Sequence, residues 1–170
     1  LLAVMLYFYK DVFGITTGFF DLCRNKHTSG RNLFINLVIA TLPVVLIGVL
    51  VKDFVENDLR SAAIIAATSI IFGIVLFVAD KKTTKAGKQI DTMPLKDVVW
   101  IGLWQAIALI PGVSRSGITM TAALFLGYSR TDSAKFSLLL SMPTILAASV
   151  LIIYDMIQTA DATRNMQHTA

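Results

Sequence analysis

The sequence predicts an all-α, polytopic integral membrane protein, and its composition and hydropathy pattern agree on this class. Of the 170 residues, 55% carry hydrophobic side chains and 15% are charged, and the mean hydropathy is +0.70. These values lie outside the range of soluble globular domains. The apolar residues form runs close to the roughly 20 residues that cross a bilayer core as a helix. Most charges lie between these runs, so the net charge of +4 indicates orientation in the membrane rather than nucleic-acid binding.

The first predicted elements are a partial span, a loop and a complete span. Residues 1–9 are apolar and are expected to be the end of a span. Because the chain opens inside this run without an initiator Met, we expect an internal fragment, with further spans at the other end as well. Residues 10–32 are mixed in character and are expected to form a loop that contains a short interfacial helix around 12–20. The next span, 33–51, contains Pro43, which predicts a kink.

The following elements predict an orientation. A short acidic loop at 52–60 precedes the predicted span 61–79, whose small residues at three- and four-residue steps favour close helix packing. The loop at 80–97 is rich in lysine. Two crossings separate it from the basic loop at 10–32, so both loops lie on one side, which the positive-inside rule makes cytoplasmic.

The stretch 98–127 departs from the pattern of a continuous span. Its apolar residues form two halves on either side of the polar sequence PGVSRSG at 111–117. Two half-helices around a polar break are typical of a re-entrant hairpin or a discontinuous span. The last predicted span, 136–156, is continuous, and its Ser-x-Pro sequence echoes the Thr-x-Pro sequence of span 33–51. That echo hints at a repeated architecture.

The polar break has the residues of an anion site. Pro111 ends the incoming helix, and Gly112 and Gly117 permit backbone conformations and close approaches that side chains would block. A new helix is expected to begin near Ser116 or Gly117, where its first N–H groups have no intrahelical partner. Arg115 at membrane depth would cost about 3 kcal/mol on insertion scales, so it should face a partner or a wet cavity. Its planar guanidinium matches a phosphate or a carboxylate.

Polar side chains near this arginine complete the predicted cluster. Ser114, Ser116 and Thr119 add hydroxyls, and the cluster as a whole indicates a cradle for phosphate. Gln105, on the incoming half-helix, either lines the same cavity or forms a hydrogen bond to a neighbouring helix. The alternative for Arg115 is a turn at headgroup level, from which the side chain extends to lipid phosphate.

The break lacks other groups that a phosphatase needs. Between Asp97 and Asp132 there is no Asp, Glu or His. Hydrolysis of a phosphoanhydride requires an aligned nucleophile, a proton acceptor and usually a metal ion. This stretch offers anion binding and a serine nucleophile, so the remaining half of an active site would lie elsewhere.

Three segments of the chain resemble a known family. The chain has GLWQAIALIPGVSRSGITM at 102–120, SRTDSAKFSLLLSMP at 129–143 and TLPVVLIGVLVKDFVE at 41–56. The first is similar to the PGxSRSG(A/G)T signature, with its preceding Gln, of the bacterial undecaprenyl-diphosphatases, the UppP/BacA type associated with bacitracin resistance. The other two resemble that family's following segment and its earlier Pro-containing span.

The resemblance implies a fold, an activity and a set of site residues. The fold is an inverted repeat with two re-entrant hairpins that meet inside the bacterial plasma membrane. The activity is hydrolysis of undecaprenyl pyrophosphate to the monophosphate, which recycles the lipid carrier of cell-wall synthesis. By the resemblance, Arg115 binds the pyrophosphate and Ser114 is a nucleophile or phosphate ligand. The implied catalytic residues are Ser114, Arg115 and Thr119, and the implied substrate-binding residues are Gly112, Ser116, Gly117 and Gln105.

One motif of the family has no counterpart here. Its acidic Glu-x-x-x-Glu segment, followed by Pro-Val-Ser-Ser and a His, is expected to precede this chain. The resemblance therefore places the ligands of a divalent cation, Mg²⁺ or Ca²⁺, outside the chain, and the chain alone is expected to be inactive. The implied partners are undecaprenyl pyrophosphate and membrane lipid, without nucleic acid, and a homodimer is left open.

Two other classes of function are compatible with parts of the pattern. A secondary transporter or flippase for an anionic or lipid-phosphate substrate also aims broken helices at its ligand. A purely structural membrane subunit would leave Arg115 without a role.

Overall fold

The regular structure of the chain is helical throughout the residues that the computed structural model describes, 2–24, 28–58, 61–83 and 87–168. The helices are α1 (Leu2–Tyr7), α2 (Tyr9–Cys23), α3 (Ser29–Asp58), α4 (Ala62–Lys82), α5 (Leu95–Ala106), α6 (Arg115–Phe125) and α7 (Arg130–His168), with 3₁₀ turns at Ile90–Thr92 and Ile107–Leu109. Three segments are long and apolar enough to cross a membrane, namely Ser29–Val51, Ala62–Lys82 and Arg130–Tyr154. The predicted class, an all-α polytopic membrane protein, is confirmed.

The N-terminal region is more helical than the sequence predicts. The short helix expected around 12–20 is present, but it is part of a longer helix, α2, which runs from Tyr9 to Cys23. The predicted loop is wrong at 10–11, at 21–23 and at 29–32, where α3 has already begun. The reason is that α2 packs closely against α3. A Cβ on Gly18 would lie 2.5 Å from the carbonyl carbon of Gly30, so the backbones of α2 and α3 touch, as small residues allow between membrane helices.

An ion pair also contributes to this difference. The charges of residues 10–32 favoured a loop, but the Asp11 carboxylate on α2 lies 2.7 Å from the Lys135 ammonium on α7. Both side chains are about a quarter exposed, with values of 27% and 28%. A charge that is paired with another helix is compatible with a packed helix, which local composition does not reveal.

The two long helices α3 and α7 each contain a proline and contact each other. Both extend beyond the predicted spans 33–51 and 136–156, and the backbone of α3 continues to Asp58, within the predicted loop at 52–60. Pro43 and Pro143 lie inside these helices, where each removes one backbone donor. The kink expected at Pro43 stays a prediction, and its helix packs against α7.

The hairpin of α5 and α6 contains the polar break. The two helices have 12 and 11 residues, so they are about 18 and 17 Å long, shorter than a bilayer core. The ends of the hairpin lie together, because the Lys88 N–H donates to the Gly127 carbonyl at 2.8 Å and the Ser129 N–H donates to the Lys88 carbonyl at 3.1 Å. The chain therefore enters and leaves the hairpin at the same point.

The core lies between α3, α5, α6 and α7. A Cβ on Gly102 of α5 would lie 2.6 Å from the Ala40 carbonyl oxygen of α3, so these two helices are in backbone contact. Helix α4 differs, since it packs mainly against α6 and buries only Ala79. The most buried apolar side chains of the core are Ala40, Val98, Ile101, Ala122, Ala123, Phe136, Leu139 and Leu140.

Candidate active site

The break between α5 and α6 is a short turn followed by a helix cap. Gly112 has φ +92°, in the left-handed region that favours glycine. Ser114 has an extended backbone, and its Oγ accepts a hydrogen bond from the Gly117 N–H at 3.3 Å. It is therefore the N-cap of α6, which begins at Arg115. The helix start expected near Ser116 or Gly117 is therefore confirmed to within one or two residues.

Gly117 gives this cap the space it needs. A Cβ at Gly117 would lie 3.1 Å from the Ser114 Cβ and 3.2 Å from its Oγ, which is tighter than ordinary contact. The Ser114 cap therefore depends on the absence of a side chain at Gly117. Together they explain on structural grounds why both residues belong to the motif.

The first turn of α6 presents unused hydrogen-bond donors. The backbone N–H groups of Arg115 and Ser116 have no acceptor within the described ranges. The N-terminus of a helix also carries partial positive charge from its dipole. The local backbone is therefore suited to an anion.

Arg115 adds a full positive charge at the same place. It lines a cavity of about 280 Å³ whose other walls come from α3, the 107–109 turn and α7. Most of the lining is apolar, and Thr144 is its other polar side chain. The Arg115 guanidinium is exposed and has no hydrogen bond or ion pair with any described residue. A cation without a protein partner, next to free amides, is available to an anionic ligand.

Thr119 and Gln105 lie behind this surface. Thr119 is buried, and its hydroxyl lies 3.1 Å from the Arg115 carbonyl oxygen and 3.2 Å from that of Ser116, both in its own helix. Gln105 is buried and its Nε2 donates to the Ala40 carbonyl at 3.5 Å. Its Oε1 lies 3.4 Å from the Thr144 hydroxyl, whose nearer acceptor is the Leu140 carbonyl at 2.8 Å. Of the two alternatives for Gln105, the structure therefore contains the helix–helix hydrogen bond. The role of either residue toward substrate stays a prediction.

Sequence reasoning missed two hydroxyls that contact the break. On α4, the Thr68 hydroxyl donates to the Pro111 carbonyl at 2.7 Å and the Ser69 hydroxyl donates to the Gly112 carbonyl at 2.9 Å. The small residues of this span were expected to serve helix packing alone. The available signal was a pair of adjacent hydroxyl residues in an otherwise apolar helix.

A buried carboxylate at the open end of the hairpin was also missed. The Asp97 Oδ2 accepts from the Tyr128 hydroxyl at 2.8 Å and lies 3.5 Å from the Lys88 ammonium, which is 5.4 Å from the centre of the Tyr128 ring. Burial and the hydrogen bond to Asp97 raise the pKa of the Tyr128 phenol above its usual value. The phenol therefore remains a donor at neutral pH. We call these three residues the basal clamp.

The described residues do not fit the divalent cation that the resemblance implies. In the described ranges, no group of three or more His, Cys, Asp or Glu could hold a metal ion. The groups at the break are hydroxyls, amides and a guanidinium, which suit an anion rather than a cation. No chemical step is therefore assigned to a cation here.

Together, the helical fold and the unpaired arginine at a broken helix define a polytopic membrane protein with a candidate anion site. A family model described as bacitracin resistance protein BacA matches residues 1–170. The chain therefore belongs to this family, and the resemblance found in the sequence is confirmed.

Curated relatives agree with this assignment. The undecaprenyl-diphosphatase of Jannaschia sp. (strain CCS1) is 46% identical over 162 residues, which cover 94% of this chain and 60% of that protein. Those of Alteromonas mediterranea and Elusimicrobium minutum are 43% and 47% identical, over 95% and 91% of this chain and 61% and 58% of their own lengths. The chain thus spans somewhat less than two thirds of these relatives.

Proposed function

We propose that this chain forms part of the active site of an undecaprenyl-diphosphatase in the bacterial plasma membrane. The reaction removes the terminal phosphate of undecaprenyl pyrophosphate. The observation that carries the proposal is the Arg115 guanidinium, which lies beside the first N–H groups of α6 and, like them, has no partner among the residues that the structure describes. The names of the curated relatives supply the reaction.

The two chemical parts of this substrate match two parts of the site. A pyrophosphate is a dense anion, for which the guanidinium offers two parallel hydrogen bonds and the helix N-terminus offers amides. An isoprenoid chain is apolar, and the cavity beside Arg115 is lined by groups such as Leu109, Ala148 and Leu151. An amphiphilic lipid phosphate therefore suits the site better than a free, fully polar phosphate ester.

The chemical role of the break follows from where charge develops. An oxygen nucleophile forms a bond to the terminal phosphorus, the anhydride P–O bond breaks, and undecaprenyl phosphate leaves. Negative charge grows on the phosphoryl oxygens during this step, and Arg115 with the amides of the first turn stabilises it. Ser114 is the exposed hydroxyl at this position. It serves either as a phosphate ligand, with water as the nucleophile, or as the nucleophile, in which case water then hydrolyses the phosphoserine and releases phosphate. The proton acceptor comes from outside the break, because 98–131 contains no Asp, Glu or His, and Asp97 at the base of the hairpin is bound to Tyr128 and Lys88.

We further propose that the hairpin is re-entrant. Helices of about 18 and 17 Å reach roughly half-way through a core of about 30 Å, and the two ends of the hairpin meet at Lys88 and Ser129. This geometry supports a break near mid-membrane with both ends of the hairpin at one surface. The lysines of the preceding loop make that surface the cytoplasmic one.

The decisive test measures phosphate release from undecaprenyl pyrophosphate by protein expressed from the complete reading frame that encodes this chain. We expect Arg115→Ala to lower kcat/KM by about 100-fold or more, the loss typical of a transition-state donor. Arg115→Lys should retain part of the activity, because lysine keeps the charge but loses the planar pair of donors. Arg24→Ala, an exposed arginine at the end of α2, is the matched control. Full activity in Arg115→Ala would refute the proposal.

A transporter or flippase remains the second candidate, since broken helices also bind anions in transporters. Sealed vesicles separate the two functions. Movement of the lipid phosphate across the bilayer with no phosphate release would support transport, whereas hydrolysis with no dependence on a sealed vesicle supports the enzyme.

A further inference from the structure

The hydroxyls of Thr68 and Ser69 connect α4 to the break across a long stretch of sequence. Each donates to a backbone carbonyl 43 residues away, Thr68 to Pro111 and Ser69 to Gly112. Thr68 has two other acceptors, the carbonyls of Ile64 at 2.9 Å and Ile65 at 3.1 Å, but the Pro111 oxygen at 2.7 Å is the nearest. A hydroxyl has one proton, so the shortest contact is the favoured bond.

The break lies directly against α4 at this point. A Cβ on Gly112 would overlap the Thr68 hydroxyl and the Ile65 carbonyl, and it would lie 2.9 Å from the Ile65 Cα. Helix α4 has few other contacts, since it packs mainly against α6 and is otherwise exposed. The two hydroxyl bonds are therefore a prominent feature of the contact between α4 and the hairpin.

These bonds have an electrostatic consequence for the anion site. A carbonyl oxygen carries partial negative charge and would repel a phosphate that it faced. The carbonyls of Pro111 and Gly112 instead face α4, where hydroxyls satisfy them. The N–H groups of Arg115 and Ser116, three to four residues later, have no acceptor within the described part of the chain. The backbone is thus arranged with carbonyls bound to α4 and with donors left for a ligand.

We infer that Thr68 and Ser69 are positioning residues for the proposed phosphatase site. They hold the turn at Pro111 and Gly112 so that the first amides of α6 and Arg115 stay directed to the reacting phosphate. This inference rests on the proposed function. Neither side chain lines the cavity, so the effect passes through the backbone.

The first test compares hydroxyl deletions at similar shape. We expect Thr68→Val and Ser69→Ala each to lower kcat by about fivefold, and the double variant by about 10- to 30-fold. The KM should change less than twofold, because the loss concerns alignment in the transition state rather than the binding of the substrate. Thr68→Ser restores the hydroxyl and should regain most of the activity.

The matched control lies at the C-cap of the same helix. The Thr83 hydroxyl donates to the Ala79 carbonyl of α4 at 2.8 Å and does not contact the break. Thr83→Val should therefore leave kcat unchanged. An equal loss of kcat in Thr83→Val would show a general effect on α4 and would overturn the inference.

A second measurement does not depend on catalysis. Hydrogen exchange in lipid nanodiscs reports the amides of Val113, Gly117 and Ile118, which are hydrogen-bonded within the break and its cap. The Thr68→Val/Ser69→Ala variant should exchange these amides several-fold faster, and Thr83→Val should not. Unchanged exchange overturns the positioning role even if phosphate release fails altogether. If the wild type and the double variant release phosphate at the same rate, the inference is overturned and the proposed function stands.

Discussion

The two ends of the α5–α6 hairpin differ in whether their charged side chain has hydrogen-bond or ion-pair partners among the described residues. At the base, the buried Asp97 carboxylate is paired with the Tyr128 hydroxyl and the Lys88 ammonium. At the tip, Arg115 has no such partner among the described residues, and the neighbouring amides are free. The buried carboxylate needs its partners, whereas the exposed Arg115 does not, so the two ends serve different purposes. The base holds the hairpin closed, and the tip is available to a ligand.

The two positive-φ glycines offer the sharpest test of this contrast. Gly112 at the tip and Gly127 at the base have φ values of +92° and +87°. A Cβ at Gly112 would overlap α4, whereas a Cβ at Gly127 would have no atom within 4 Å. We expect Gly112→Ala to abolish phosphate release, with a loss of roughly 100-fold or more, because the turn must move away from α4. Gly127→Ala carries only the backbone cost of about 1 kcal/mol. Equal activities in the two variants would contradict the proposed difference between the tip and the base of the hairpin.

The next largest effect is expected at the base. Asp97→Ala removes the acceptor of the buried Tyr128 hydroxyl, and we expect the unfolding free energy to fall by about 1–3 kcal/mol. Thermal unfolding in detergent measures this change. The Arg115→Ala variant should unfold at the wild-type temperature, since its guanidinium has no partner among the described residues. The comparison fails if Arg115→Ala is the less stable of the two.

Ser114 distinguishes a structural cap from a chemical role. Ser114→Ala removes the side chain that accepts from Gly117, at a cost of about 1 kcal/mol, whereas Ser114→Gly costs only a few tenths. If Ser114 serves only as a cap, the glycine variant should retain more phosphate release than the alanine variant. If it is the nucleophile, both variants should lose activity equally. Kinetics and thermal unfolding of the two variants decide between these roles.

The smallest expected effect concerns pH and Tyr128. Because the pKa of this phenol is raised in the fold above the value of about 10 in an unfolded chain, its contribution to stability is complete below that value. The contribution is then lost as the pH rises further. Tyr128→Phe should lower stability by about 1 kcal/mol at neutral pH and should reduce the alkaline loss. Unfolding curves between neutral and strongly alkaline pH measure both the stability at neutral pH and its loss at alkaline pH. If the variant loses as much stability at alkaline pH as the wild type, Tyr128 is not the source of that loss.

The extent to which sequence predicts this fold differs between its parts. Long apolar runs predicted helices where α3, α4 and α7 lie, and the motif around Arg115 pointed to the break between α5 and α6. The region of α2 was misjudged because its charges favoured a loop. The Asp11–Lys135 ion pair and the Gly18–Gly30 contact, which stabilise that helix, join residues far apart in the chain.

In the candidate site, too, some residues can be found from local sequence and others only from contacts between distant residues. Arg115 and Ser114 were found from the sequence, because a charged residue and helix-breaking residues inside an apolar stretch are visible locally. Thr68, Ser69 and the basal clamp were not found. Their importance lies in bonds to Pro111, to Gly112 and within the clamp, and no local pattern indicates these partners.

By itself, the sequence determined that this is a helical membrane protein with a polar break, because hydropathy and helix breaking are properties of neighbouring residues. The tertiary structure decided which polar groups are satisfied. The carbonyls of the break accept hydrogen bonds from α4, and Gln105 lies between α3 and α7. Arg115 and two amides have no partner in the described ranges. The physical reason is that a hydrogen bond depends on the distance and direction between two groups. These are set by the packing of helices and not by composition.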